Sequence, residues 1–151
     1  MYVILPFKAE YAEGFDPQNA QNAGHIAAGL TRETWEAVEK TNHSFAGFRD
    51  DRLLGMAGVA LEWPGRATAW MLVHGDTRGG ADLLWMFRQI TKFLDDLQVG
   101  PEYRRVETTV LAGFKAGHRL AKMLGFQREG YMRCYDSAGQ DHVLYARLRH
   151  G

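Results

Sequence analysis

The stretch LAKMLGFQREGYMRCY, residues 120–135, decides the fold that this sequence predicts. It begins with the spacing of an amphipathic helix near 113–124, and Gly125 suits the left-handed residue that closes such a helix. The apolar stripe of this helix is Phe114, Gly117, Leu120, Ala121 and Leu124. Since an aromatic, alternating run follows at once, the helix is expected to lead directly into a strand and a final hairpin across DSAGQ.

The segments before this stretch alternate between strand and helix patterns. TAWMLV, residues 68–73, is apolar at nearly every position, which predicts a central strand covered on both faces. The predicted strands lie near 44–49, 53–62, 68–73, 104–111, 129–135 and 141–149, and the predicted helices near 81–97 and 113–124. The helical stripe of 81–97 is Leu83, Leu84, Phe87, Ile90, Leu94 and Leu97.

The N-terminal third, residues 1–43, is expected to form an arm and helices. MYVILPF predicts a strand or an extended arm, and AEGFDPQNAQNAG predicts a loop or short-helix region. A helical pattern runs from His25 to Lys40, with a break at Gly29 and Leu30 and a restart capped by Thr31. The length predicts a single domain, 1–151, whose residues 44–149 form the sheet.

Composition limits the possible functions. The 18 basic and 18 acidic residues cancel, so the net charge that favours binding to nucleic acid or an anionic membrane is absent. Cys134 is the only cysteine, which excludes an internal disulfide and fits a reducing cytoplasm; within its strand it is expected to be a small core residue. The histidines lack metal-ligand spacing, so no metal site is expected, and we expect no signal peptide and no membrane-spanning helix.

The order of elements, and VLAGFKAGHRLAKMLGFQREGYMRCY in particular, resembles the GNAT family of acetyl-CoA-dependent N-acetyltransferases over residues 44–149. The resemblance implies an α+β, three-layer fold: a mixed, mostly antiparallel central sheet flanked by helices, with splayed central strands. FKAGHRLAKMLGFQREG, with the upstream AGVALEWPGRATAWMLVHGD, looks especially like GNAT-like proteins of tailed bacteriophages, some of which are described as internal virion proteins.

The resemblance also implies where acetyl-CoA would bind. The backbone of Leu72 and Val73 would meet the pantetheine arm, and a loop at a helix N-terminus would offer amides to the pyrophosphate. That loop would consist of Arg78, Gly79, Gly80 and Ala81. The family pattern Arg/Gln-x-x-Gly-x-Gly/Ala fails here, because its glycine positions hold Ala81 and Leu83, so a shortened cradle and weak binding are expected. The alternative is an ordinary turn between a strand and a helix.

Two strand carboxylates are candidate general bases for deprotonating an amine. They are Glu107 and Glu62, and Glu107 is favoured because its neighbours Val106 and Val110 indicate an interior strand. The alternative is a solvated carboxylate on the wet face of a sheet.

The family's usual general acid is missing. The positions of its helix that often hold asparagine and tyrosine are Phe114 and Ala121 here. His118, one turn earlier, is a candidate for proton transfer, and the alternative is a surface histidine beside Arg119.

The resemblance therefore implies an acetyltransferase that transfers acetyl directly from acetyl-CoA to an unidentified small-molecule or protein amine. Because direct transfer needs little beyond an uncharged amine held in line with the thioester, loss of the tyrosine slows the reaction without preventing it. The alternative function is a catalytically degenerate GNAT-fold phage protein that works as a virion component or interaction module, with other virion proteins as partners.

Overall fold

The computed structural model describes residues 1–13, 15, 31–40, 43–77 and 79–149. The strands are β1 (Tyr2–Pro6), β2 (Ser44–Arg49), β3 (Arg52–Trp63), β4 (Arg66–Val73), β5 (Arg105–Leu111), β6 (Gln127–Met132) and β7 (His142–Leu148). The helices are α1 (Ala9–Ala12), α2 (Arg32–Glu39), α3 (Gly80–Leu97) and α4 (Lys115–Met123), and a 3-10 turn at Pro101–Tyr103 precedes β5.

The described strands form one mixed sheet in the order β1-β2-β3-β4-β5-β7-β6, with β4 in the centre as predicted. The pairs β1–β2, β2–β3, β5–β7 and β6–β7 are antiparallel, whereas β4 and β5 run parallel. The β4–β5 register comprises Arg66↔Arg105, Ala67↔Val106 and Thr68↔Glu107. Strands that splay apart are expected to share only a short parallel ladder, as β4 and β5 do. The predicted fold class, a mixed and mostly antiparallel sheet flanked by helices, is confirmed.

The chain packs as two compact units, Met1–Ala60 with Trp70–Met86 and Leu61–Ala69 with Phe87–Gly151. The prediction of a single domain, 1–151, stays a prediction. In the first unit, successive residues of β4 enter separate apolar clusters, because side chains alternate across a strand. Leu72 joins Phe7, Ala46 and Met56, against which Trp35 of α2 packs. Val73 joins Leu54 and Met86, against which Trp85 of α3 packs. The strands of this unit are therefore covered by helices on both faces.

The second unit has its core on the face of β5 and β7 that carries Val106 and Tyr145, both almost fully buried. Ala121 and Leu124 of the predicted α4 stripe are buried as well. Gly125 has a φ of 90°, which confirms the left-handed residue expected at the end of this helix. The stretch that decides the fold therefore forms the helix and the hairpin that it predicts.

Two side chains lie elsewhere than predicted. Leu84 is 48% exposed, because it lies about 100° around α3 from Leu83, outside the apolar stripe. The strand predicted at 129–135 ends at Met132, and Cys134 follows in a left-handed turn with a φ of 51°. Its amide donates to the Asp141 carboxylate at 2.9 Å, and its side chain is exposed, so the predicted core role of Cys134 was wrong.

Within residues 1–13, 15 and 31–40, the structure describes one edge strand and two helices. β1 pairs antiparallel with β2, which resolves the choice between strand and arm. The side chain of Thr31 accepts the amide of Thr34 and caps α2, as predicted. The predicted helical residues His25 to Leu30 lie outside the described residues. None of the helices that the structure describes is both long and apolar enough to cross a membrane.

Candidate functional site

The predicted phosphate loop lies in the first unit, between β4 and α3. Gly79 and Gly80 have φ angles of 72° and 69°, a conformation that glycine adopts without the penalty paid by other residues. Apart from the backbone next to each glycine, no atom of the described residues lies within 4 Å of a Cβ built on either one, and both residues are exposed. Arg78, the fourth member of the predicted set with Ala81, lies outside the described residues. The loop therefore presents open backbone at the N-terminus of a long helix.

Polar anchors hold this loop on both sides. Before it, the Thr77 hydroxyl donates to the carbonyl oxygen of Leu54 at 3.2 Å in the interior. After it, Asp82 in the first turn of α3 accepts the Tyr2 hydroxyl at 2.7 Å and pairs with Arg49 and Arg52, each at 3.0 Å. Asp82 is not among the predicted site residues, although a carboxylate in the first turn of a helix is a recognisable signal.

The predicted pantetheine contacts, Leu72 and Val73, are buried in the first unit. Close approach of β3 fixes this part of β4, because a Cβ at Gly55 would lie 2.8 Å from the carbonyl oxygen of Leu72 and 2.6 Å from Cε of Met86. The strand end therefore has little freedom to shift.

In the second unit, Glu107 is held by two arginines. Its carboxylate oxygens accept from Arg66 and Arg105, each at 2.6 Å, and its side chain is 13% exposed. The Arg66 guanidinium holds the pKa of this carboxyl below its ordinary value, and Arg105 adds to the effect against the opposing influence of partial burial. A carboxylate with a lowered pKa is a weaker proton acceptor.

Arg105 extends the same network to the sheet edge. Its guanidinium donates to both carboxylate oxygens of Glu129, at 3.1 and 2.5 Å. The intervening strand β7 carries Ala146 opposite Glu107, so only a methyl group projects between β5 and β6 at that level. The register of β6 shifts between Arg128 and Gly130, where Glu129 lies in a bulge.

His118 has hydrogen bonds on both ring nitrogens. Nε2 lies 2.8 Å from the carbonyl oxygen of Ala112, and Nδ1 lies 2.7 Å from the hydroxyl of Tyr145. Because a carbonyl can only accept, Nε2 carries a proton, and in the neutral ring Nδ1 accepts from Tyr145. His118 is therefore not the surface residue of the alternative interpretation: it is half-buried and joins α4 to β7. No sequence pattern indicates Tyr145 as the partner of this histidine.

Glu62 is exposed near the end of β3. The described residues provide no hydrogen bond or ion pair for its carboxylate. The next residue, Trp63, is 57% exposed, and the Arg66 guanidinium stacks on its ring at 4.5 Å. Of the two predicted bases, Glu62 therefore has the accessible carboxylate.

Ala121, at the position of the family's tyrosine, is buried and carries no proton donor. Among the described residues, no group of three or more histidine, cysteine, aspartate or glutamate side chains could hold a metal ion.

Solved structures of acetyltransferases match 97–100% of the chain. The ribosomal-protein-S18-alanine N-acetyltransferase from Escherichia coli matches with a TM-score of 0.71 at 17% identity, over 100% of this chain and 96% of that one. The ribosomal-protein-alanine N-acetyltransferase from Brucella melitensis matches with a TM-score of 0.74 at 12% identity, over 97% and 99%. A GNAT-family acetyltransferase from Bacillus anthracis matches with a TM-score of 0.67 at 15% identity, over 98% and 95%. No protein-family model and no curated protein sequence matches the chain.

The chain therefore has the fold of the GNAT acetyltransferases. None of these three structures is described as a phage or virion protein, so the resemblance to GNAT-like proteins of tailed bacteriophages stays a prediction.

Proposed function

We propose that the protein is an acetyl-CoA-dependent N-acetyltransferase that transfers acetyl directly to an amine. The observation that carries the proposal is the pair of left-handed glycines, Gly79 and Gly80, with open space beside them at the start of α3. In a chain with the GNAT fold, this is the position at which backbone amides would receive a pyrophosphate.

The loop fits such a group. Amides at a helix N-terminus lack partners within the helix and carry the positive end of its dipole, which favours phosphate oxygens. Because glycines have no Cβ, a phosphate can approach the backbone of Gly79 and Gly80 closely. We assign the amides of Gly79, Gly80 and Ala81 to the pyrophosphate, with Arg78 as an additional cation, and the backbone of Leu72 and Val73 to the pantetheine arm.

Bound acetyl-CoA would supply an acetyl group activated as a thioester. The chain's own residues must then hold an uncharged amine and accept its proton. We assign proton acceptance to Glu62, because its carboxylate is accessible, whereas both oxygens of Glu107 accept from arginines. Glu107 and His118 remain weaker candidates, since the hydrogen bonds of each are directed to other side chains and backbone.

The first expected result is that isothermal titration calorimetry detects acetyl-CoA binding in the micromolar to sub-millimolar range. Release of free thiol, measured with a panel of small amines and peptides, should be slow because Ala121 supplies no acid. Absence of both heat and thermal shift at millimolar acetyl-CoA would contradict the proposal.

The phosphate loop can be tested by Gly80→Ala. Alanine at a φ of 69° costs about 1 kcal/mol and places a methyl group where a phosphate would approach. Acetyl-CoA affinity is expected to fall by about tenfold, the loss of one charge-assisted contact.

Gly139→Ala is the matched control, because Gly139 has a φ of 77° and nothing within 4 Å of its added Cβ. It should have a similar cost in stability and leave the affinity unchanged. Equal effects of the two variants on binding would show that the loop at Gly80 does not contact the cofactor.

Specific contacts favour a second candidate function, a GNAT-fold interaction module without catalysis. Glu107 and His118 are engaged in internal hydrogen bonds, and Ala121 stands where a tyrosine would act. A GNAT-fold interaction module would bind acetyl-CoA without turnover on any amine, or would not bind it.

For the acetyltransferase, Glu62→Gln should abolish most of the thiol release while acetyl-CoA affinity stays unchanged.

A further inference from the structure

Asp82 is the polar centre of the first turn of α3. Its carboxylate is 11% exposed and joins this helix to three strands, through Tyr2 of β1, Arg49 of β2 and Arg52 of β3. Tyr2 also stacks on Trp85, with ring centroids 4.7 Å apart and planes inclined by 16°. The first turn of the helix is therefore fixed to the sheet by charge, hydrogen bonds and aromatic packing together.

The two residues at which the loop enters this turn have little intrinsic order. Two glycines in succession lose more conformational entropy on ordering than any other pair, and outside their own backbone no described atom lies within 4 Å of their Cβ positions. Thr77 anchors the chain to Leu54 on one side of them, and Asp82 anchors it on the other. The position of the open backbone at Gly79 and Gly80 therefore depends on these two anchors.

The charge of Asp82 would oppose a bound phosphate if it stood alone. Two guanidinium groups, however, pair with this one carboxylate, so the cluster carries one positive charge in excess. Both carboxylate oxygens are engaged by Tyr2, Arg49 and Arg52, which leaves the loop amides without competition from this side chain. If Asp82 positions the loop, removing its charge should weaken binding of an anion. If its charge only repels the anion, removing it should strengthen binding.

We propose that Asp82 is a positioning residue for the pyrophosphate loop: it fixes the first turn of α3 so that the amides of Gly79, Gly80 and Ala81 are held ready for an anion. The inference rests on the proposed cofactor binding. It assigns the contribution of Asp82 to the phosphate portion of the ligand alone.

The test is Asp82→Asn, which keeps an acceptor for Tyr2 but removes the attraction to both arginines. Calorimetry should show that acetyl-CoA affinity falls by about tenfold, although the variant has lost a negative charge close to an anionic ligand. Asp76→Asn is the matched control, because Asp76 is an exposed carboxylate before the same loop. Coulomb's law alone predicts unchanged or slightly tighter binding for that variant.

Two further measurements exclude a general loss of structure. Binding of S-acetylpantetheine, which lacks the pyrophosphate, should be the same in the Asp82→Asn variant and the wild type. Tyr2→Phe, which removes one hydrogen bond and keeps the stacking on Trp85, should weaken acetyl-CoA binding less than Asp82→Asn does. Equal or tighter acetyl-CoA binding by Asp82→Asn, or parallel losses for both ligands, would overturn the inference.

Hydrogen exchange separates this inference from the proposed function. In an α-helix the amides of Leu84 and Trp85 donate to residues 80 and 81, so their exchange reports on the first turn of α3. It should be faster in Asp82→Asn than in Asp76→Asn, with no ligand present. If the wild type failed to bind acetyl-CoA, the proposed function would be lost. Unchanged exchange in Asp82→Asn would overturn the positioning role by itself.

Discussion

Replacing Glu107 by glutamine is expected to lower the free energy of unfolding by about 2 kcal/mol, between the worth of an exposed ion pair and the penalty for breaking a buried one. Both carboxylate oxygens accept from arginines at 2.6 Å. A glutamine amide offers one acceptor oxygen, and its NH2 group would face the other guanidinium. Urea denaturation of the two proteins would measure the difference.

Glu129→Gln is the matched control for this network. Its side chain is 38% exposed, and its one ion pair among the described residues is with Arg105, so the loss of stability should be smaller.

The effect of Glu107→Gln should also depend on pH. The pKa of Glu107 is lower in the folded protein than in the unfolded chain. Such a carboxyl stabilises the fold above its unfolded pKa, and the contribution is lost as the pH falls through the folded value. The difference between wild type and variant should therefore be full near neutral pH and shrink below about pH 4.

The same variant separates the structural from the catalytic role of Glu107. If the carboxylate only forms structural ion pairs with the two arginines, thiol release by the folded variant should fall by less than about tenfold. A loss of roughly 100-fold with unchanged stability would instead identify Glu107 as the general base and displace Glu62.

Gly55→Ala is the second change with a large expected effect, a loss of about 2–3 kcal/mol in the free energy of unfolding, typical of an overpacked core. The added Cβ would meet the carbonyl oxygen of Leu72 at 2.8 Å and Cε of Met86 at 2.6 Å. The methionine end can rotate away, whereas the backbone carbonyl can yield only if β3 and β4 separate. Since Leu72 is a proposed pantetheine contact, acetyl-CoA affinity should fall as well.

Gly130→Ala provides the same substitution in β6, where nothing lies within 4 Å of the added Cβ. It should change the unfolding free energy by less than about 0.5 kcal/mol. Comparable losses in the two variants would show that β-strand glycines matter here through conformational freedom and not through close packing.

The local parts of the fold follow from the sequence because their causes are local. Thr31 caps α2, Gly125 ends α4, and the apolar run at 68–73 becomes the central strand. The strand ends were less predictable. β6 ends at Met132, because the amide of Cys134 donates to the Asp141 carboxylate and does not continue the strand. That contact depends on the length of the loop, which periodicity does not report.

The candidate site was less predictable than the fold, because it depends on partners that only the register brings together. Arg66 precedes Glu107 by 41 residues, and Tyr145 follows His118 by 27. The pattern around Glu107 predicted an interior strand and, from that, a general base, but it could not indicate that Arg66 and Arg105 lie against the carboxylate. The loop position of Gly79 and Gly80 between a strand and a helix was predictable, because glycine marks turns, but their left-handed φ angles were not, because glycine adopts φ of either sign.

The bulge of β6 also has a consequence for behaviour at high concentration. This strand closes one end of the sheet, where a second molecule could add a strand and begin a polymer. Such growth needs an even row of amides and carbonyls, and the register shift between Arg128 and Gly130 interrupts that row. Because the bulge residue Glu129 is tied to Arg105 two strands away, straightening the bulge would break an ion pair. The ion pairs of Arg105 with Glu107 and Glu129 therefore also disfavour strand-to-strand polymerisation at this edge.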